Sequence, residues 1–292
     1  MTVTFNGQMH KYPAAADFAC LHKTLLQKSL PQQFSILLQF APQTAHSLLD
    51  TKRLKRAKKT TELFGFDEPA VKFKGICEQL TLFFEEEKGA PTKKIASALA
   101  VKRLSSQLLA PIVTSYLVEG VAPTIHDLSF RISDEPPFVE VDLSNAQESP
   151  VVTHLQTTAF SSPSQHLQLT VTIESIVELL YTHLGKRRTA PAVFYSNIAI
   201  AILNPLFFLR SQGIDPQLVA GLMERLLKVF SKEIKKGIVW HERNLGHLEK
   251  APIRKACCLK YTLPSKPHLC TTCSRRDDVP FFEPVDPTKV HQ

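Results

Sequence analysis

None of the chain's ten glycines stands in a G-x-G-x-x-G or G-x-x-x-x-G-K-[ST] spacing. The backbone turns that cradle a pyrophosphate or a nucleotide triphosphate are therefore missing, and a Rossmann-type nicotinamide or flavin site and a P-loop have no support. H-E-x-x-H and G-x-S-x-G are absent too, which removes the familiar zinc-protease and serine-hydrolase signatures. After Met1 come Thr2, Thr4, Asn6, Gln8 and His10 in place of a basic start and an apolar run. No secretory signal is expected, and the thiols are expected to stay reduced in the cytoplasm. Long apolar runs are equally scarce. Residues 192–209 are mostly apolar, but Asn197, Asn204 and Pro205 interrupt them, so this stretch predicts a buried helix and no transmembrane segment. Acid is short relative to base, with 27 Asp and Glu against 35 Lys and Arg and a net charge of +8. That excess favours anionic partners.

What is present is the composition of a globular protein, 292 residues long with 43% hydrophobic residues, enough for a real core. The fold class expected is α+β, with mostly helical N- and C-terminal parts around a small central antiparallel sheet. Three segments are expected: a helical subdomain over 1–119, a β-rich segment over 120–170 and a helical subdomain over 171–292. Helical apolar spacing covers 13–26, 44–63 and 92–118, with Pro111 set to kink or divide the last. Residues 33–40 are an apolar run whose period does not decide between helix and strand. Alternation over 124–132 and 138–143 predicts a hairpin, with a third strand possible at 151–155 inside a polar loop over 144–168. Helical spacing resumes at Thr172. Asp215-Pro216 has the form of an N-cap followed by a first-turn proline. Residues 237–250 read as an irregular connection that carries the sole tryptophan, Trp240.

The basic residues Lys52, Arg53, Lys55, Arg56, Lys58 and Lys59 crowd into one stretch without an acid. At helical spacing Lys52, Lys55, Arg56 and Lys59 share a face, either simply solvated or able to dock an acidic redox partner. No aromatic residue is interleaved to stack on bases, so nucleic-acid binding is not expected.

Of six cysteines, Cys20 and Cys77 are scattered and read as small buried hydrophobes. The other four lie together as the adjacent pair Cys257-Cys258 and the C-x-x-C pair Cys270-Thr271-Thr272-Cys273. In a reducing compartment such a group usually binds metal or does redox chemistry. Four soft thiolates suit an iron–sulfur cluster or a structural zinc. Adjacent thiols chelate one small ion with difficulty, whereas two irons offer them a broader target, so the cluster is favoured and zinc stays open. Arg254, Lys255 and Lys260 flank the thiols and would favour their ionised form, or are merely solvated surface. His241, His247 and His268 lie near in sequence, His268 as a possible hydrogen-bond partner or ligand, though a surface imidazole is the simpler reading.

The segment Arg254-Lys255-Ala256-Cys257-Cys258-Leu259-Lys260-Tyr261, with its C-x-x-C downstream, resembles the C-terminal motif of the FhuF-like ferric siderophore reductases. The match is local, with Trp240 and Asn197 suggestive only, and the stretch between Cys258 and Cys270 is one residue longer than in the family pattern. The resemblance implies a 2Fe-2S cluster on Cys257, Cys258, Cys270 and Cys273, and a cytoplasmic enzyme that gives one electron to ferric iron held in a siderophore. With no dinucleotide site in the chain, an external donor of ferredoxin or reductase type is implied as partner. Tyr261 and Trp240 are candidates to pack against a hydroxamate chelate, or else simply cover the core. Two alternatives stand beside this: a zinc-stapled interaction module with a basic docking patch, and an iron–sulfur electron carrier with another acceptor.

Overall fold

The computed structural model describes residues 2–5, 8–11, 25, 27–39, 63–65, 70–133, 138–142, 163–186, 188–212, 214–244, 248–265 and 268–276. The basic run over 52–59, the apolar spacings over 13–24 and 44–62, the possible strand at 151–155, Cys20 and His247 fall outside these residues. The architecture is α+β and mostly helical, as expected, with small antiparallel sheets.

The helices are α1 (Leu30–Gln39), α2 (Ala70–Leu82), α3 (Lys93–Glu119), α4 (Pro163–Leu180), α5 (Pro191–Ser211), α6 (Pro216–Lys228) and the short α7 (Lys232–Lys235). Single π-turns, Phe83–Glu87 and Tyr181–Gly185, extend α2 and α4. The strands are β1 (Thr2–Phe5), β2 (Gln8–Lys11), β3 (Leu63–Gly65), β4 (Ser129–Ser133), β5 (Phe138–Asp142), β6 (Ile238–Asn244) and β7 (Leu248–Arg254). They pair as β1-β2, β3-β4-β5 and β6-β7.

Local chemistry accounts for the boundaries. Thr92 accepts a hydrogen bond from the Ile95 amide to start α3, and Gly120, at φ 74°, ends it by donating its N–H to Tyr116 O. Between those caps the helix continues through Pro111 undivided. Asp215 caps α6 as expected, accepting from the Gln217 and Leu218 amides at 2.7 and 3.1 Å. Residues 33–39 of the ambiguous run lie in helix α1, opened by a reciprocal pair in which Gln32 Oε1 accepts from the Ser29 amide and Ser29 Oγ accepts from the Gln32 amide.

Several expectations need correction. The N-terminal part, expected to be mostly helical, also carries the antiparallel pair β1–β2. The expected β4–β5 hairpin is present, and β3, from far upstream, pairs with the other edge of β4; the possible strand over 151–155 lies outside the described residues. Helix α4 begins at Pro163, well before Thr172. Residues 238–244 and 248–254 are not an irregular connection but a regular antiparallel pair, in register from Ile238↔Arg254 to Asn244↔Leu248.

Long α3, 15 of whose 27 residues are buried, lies along α5. One apolar cluster extends from Leu25 to Ile238 and includes residues of all three expected segments. Among the described residues α5 is the one helix apolar and long enough to cross a membrane, and 67% of its apolar window is buried inside the protein.

The β6–β7 pair is seated on α5 through Gly237. A side-chain carbon there would run into the backbone carbonyl of Tyr195, while Gly237 O accepts from the Lys255 amide at 3.0 Å. Gly237→Ala should lower the urea midpoint with little change in slope, a cost of about 1–3 kcal/mol typical of overpacking.

Candidate metal centre

Strand β7 ends at Arg254 and delivers the chain directly to the adjacent cysteines, which places them beside the N-terminal halves of α3 and α5. The Ala256 amide donates to Ser196 Oγ at 3.0 Å, and the Arg254 amide donates to Thr272 O at 3.0 Å, tying the two halves of the cysteine segment together. A second, small apolar cluster forms here from Ala90, Ala96, Leu99, Cys258 and Leu263, with Phe84, Ile95 and Cys270 against it. Gly89, at φ 66°, brings the turn before α3 close to Pro264. Cys258 and Cys273 are buried; Cys257 and Cys270 are half-buried.

All four predicted thiols converge, and they do so as two pairs. Cys257 and Cys273 lie with their sulfurs 3.3 Å apart. Cys258 and Cys270 are brought together at Lys102, whose Nζ lies 3.7 Å from the first sulfur and 3.0 Å from the second. A metal–sulfur distance of about 2.3 Å gives a tetrahedral edge of about 3.8 Å, so the first pair needs only a slight opening to grip one ion. Among the described residues, no group of three or more His, Cys, Asp or Glu is arranged around a single ion position. The Leu259 amide donates to Cys257 Sγ at 3.3 Å, the type of bond that steadies a ligating thiolate. Leu259 itself holds a left-handed φ of 58°, a conformation costing about 1 kcal/mol in a non-glycine residue.

The electrostatics of the Cys258–Cys270 pair come from elements distant in sequence. Lys102, on α3, sits with its Nζ 3.0 Å from Cys270 Sγ and 3.7 Å from Cys258 Sγ. Arg254 is buried, donating from Nε to Asn197 Oδ1 at 3.1 Å and from its terminal nitrogen to Thr272 Oγ1. Asn197 completes the frame by donating to Ala98 O at 3.3 Å. The hydrogen bond with Cys258 first, and then the charges of Lys102 and Arg254, outweigh burial and hold Cys270 down to about 4. The same hydrogen bond and then burial push the Cys258 thiol up, against both cations. Cys257 is pushed up to about 11, chiefly by burial. Cys77 is fully buried and pushed up to about 12 by desolvation, an inert core thiol as expected.

The other candidates are placed less centrally. Lys255 is exposed and Lys260 half-buried in a 3-10 turn. Tyr261 is half-buried, its hydroxyl accepting from Arg275 and its ring lying under that guanidinium at 5.3 Å. Trp240 packs against the main core from β6, and His268 is exposed. Sequence reasoning missed Lys102 and Thr272. Nothing local marks Lys102, 156 residues before Cys258. No family model matches the chain, and no curated protein matches it.

Proposed function

We propose that the chain is a ferric siderophore reductase, with Cys257, Cys258, Cys270 and Cys273 holding a 2Fe-2S cluster. The observation that carries this is the set of two close sulfur pairs, one of them facing two cations. Buried guanidinium groups are costly unless a negative group lies near. The hydrogen bonds of Arg254 end on the neutral Asn197 and Thr272, so the anionic thiolate group is the charge that compensates it. Two pairs favour two metal ions over the single tetrahedral position of a structural zinc.

When bound, such a cluster supplies one electron at a time. The residues of the chain do the rest. Ala96, Leu99 and Leu263 cover Cys258 on the side of α3, keeping water from that sulfur. Cys257 and Cys270, half-buried, leave the outer side open to an arriving chelate and to an external donor protein. Tyr261 with Arg275 offers an aromatic face and a cation on the neighbouring surface, suited to a hydroxamate chelate with oxygen donors. The electron comes from the donor protein and ends on ferric iron, the substrate, which becomes ferrous. Hard oxygen donors hold the ferrous ion far more weakly, and no bond to the protein is needed for release.

Stopped-flow mixing of anaerobically reduced protein with ferric hydroxamates tests this reading. Reoxidation should be far faster than in buffer containing reductant alone, and ferrous iron should appear in equal amount. Reoxidation at the buffer rate would contradict a siderophore acceptor.

A further inference from the structure

We propose that Lys102 is a positioning residue of the redox centre: its fixed ammonium charge sets how readily the centre accepts an electron. The inference rests on the four-cysteine reading above and adds to it a residue from outside the cysteine segment. Lys102 projects from α3 and its ammonium donates two hydrogen bonds, both ending on sulfur, at Cys270 and Cys258. Among the described residues, none of the ion pairs uses it. Half-buried beside Leu99 and Cys258, it carries a partly desolvated charge that acts more strongly than one in water.

A lysine ammonium is a compact charge with three donors and no acceptor. Placed against two sulfurs, it stabilises whichever state of the centre is more negative. Adding an electron increases the negative charge, so Lys102 favours the reduced form. Lys102 exchanges neither proton nor electron in the step; the electron enters from the external donor protein and leaves to the ferric ion. Helix α3 makes the placement rigid, because its backbone is fixed by Thr92, by the packing of α5 and by the Asn197 bond to Ala98 O. Hydrogen-bonding and electrostatic control of one sulfur pair also makes the two pairs inequivalent.

The test is an anaerobic potentiometric titration of the purified full chain, followed by visible absorption and electron spin resonance. Wild type, Lys102→Gln, Lys102→Arg and the solvent-exposed Lys94→Gln are compared. Lys102→Gln should shift the ratio of reduced to oxidised centre at least tenfold against reduction at fixed potential, about 59 mV for a one-electron couple. Lys102→Arg should restore most of the shift, and Lys94→Gln should leave the midpoint in place. A Lys102→Gln protein with the wild-type midpoint overturns the proposal, as does an equal shift in Lys94→Gln. If Lys102→Gln folds by circular dichroism yet assembles no centre, assembly in Lys102→Arg at the wild-type midpoint supports the charge role, whereas failure in both contradicts it. Iron and sulfide analysis of the wild type separates the two levels: their absence defeats the cluster reading itself, while their presence with an unmoved Lys102→Gln midpoint defeats only the role of Lys102.

Discussion

Serine at Cys258 should leave the chain with little or no bound iron and no visible absorption, and it should do so without unfolding the protein. A four-thiolate site has no spare ligand, and Cys258, 2% exposed like Cys273, is packed with Leu99 and Leu263. The hydroxyl is a harder donor than the thiolate, and its shorter reach leaves a gap where sulfur bridged α3 to Cys270. Cys257→Ser, Cys270→Ser and Cys273→Ser should each lose most of the iron for the same reason. The fold should survive because the cysteines belong to a small satellite cluster, while the main core extends from Leu25 to Ile238 without them. Far-UV circular dichroism should therefore stay near wild type in all four variants. Full retention of the spectrum and iron in any one of them would remove that residue from the ligand set.

Arg254→Met should be costlier to the metal-loaded protein than to the metal-free one. In the loaded protein the guanidinium faces anionic sulfur, and its hydrogen bonds to Asn197 and Thr272 tie β7 to α5 and to the Cys270–Cys273 turn. Removing it discards charge-assisted hydrogen bonds worth about 1.5–3 kcal/mol each and leaves the buried anionic group with Lys102 but without its second cation, a loss toward the lower end of the about 3–5 kcal/mol of a broken buried pair. Without metal, Cys270 is held as a thiolate but Cys257 and Cys258 are pushed toward the neutral thiol, so the guanidinium has less negative charge to compensate and its loss is partly offset by relief of desolvation. Denaturant midpoints of loaded and metal-free protein, each with and without the substitution, measure the difference directly. Arg254→Lys should not rescue, because a single ammonium cannot reach both Asn197 and Thr272 as the planar fork does. Equal losses in the loaded and metal-free states would mean that Arg254 is structural and unrelated to a negative centre.

Much of this was legible from residues alone, and the limits have physical causes. The cap-and-proline signal reads well at Asp215-Pro216, which bounds the element it suggests. The same signal, Ser162-Pro163, was passed over, and the start of α4 was put too late. Asn6-Gly7 between β1 and β2 is a strong hairpin dipeptide, obscured by the helical character expected of the N-terminal part. Strand β6 resisted because Ile238, Val239 and Trp240 are consecutive apolar residues, which hides the alternation; Ile238 is buried while Val239 is 42% exposed. Pro252 in β7, paired with Trp240, argued further against a strand.

At the site, the thiols and Arg254 were legible because their chemistry is local: soft ligands at close spacing beside a cation. Lys102 was not, because only the packing of α3 under the cysteine segment brings it there. Asn197 donates to Ala98 O, and its second bond, accepted from Arg254, depends on how β7 is seated on α5. Spacing identifies ligands; the charge around them is set by tertiary structure.

The central claim is that four thiols in two pairs hold two irons. Iron, acid-labile sulfide and zinc are to be measured per chain on protein purified without exposure to air. About two irons and two sulfides per chain, in a red-brown sample that bleaches on reduction, is the result this account predicts. Colourless protein carrying stoichiometric zinc and no sulfide would contradict it.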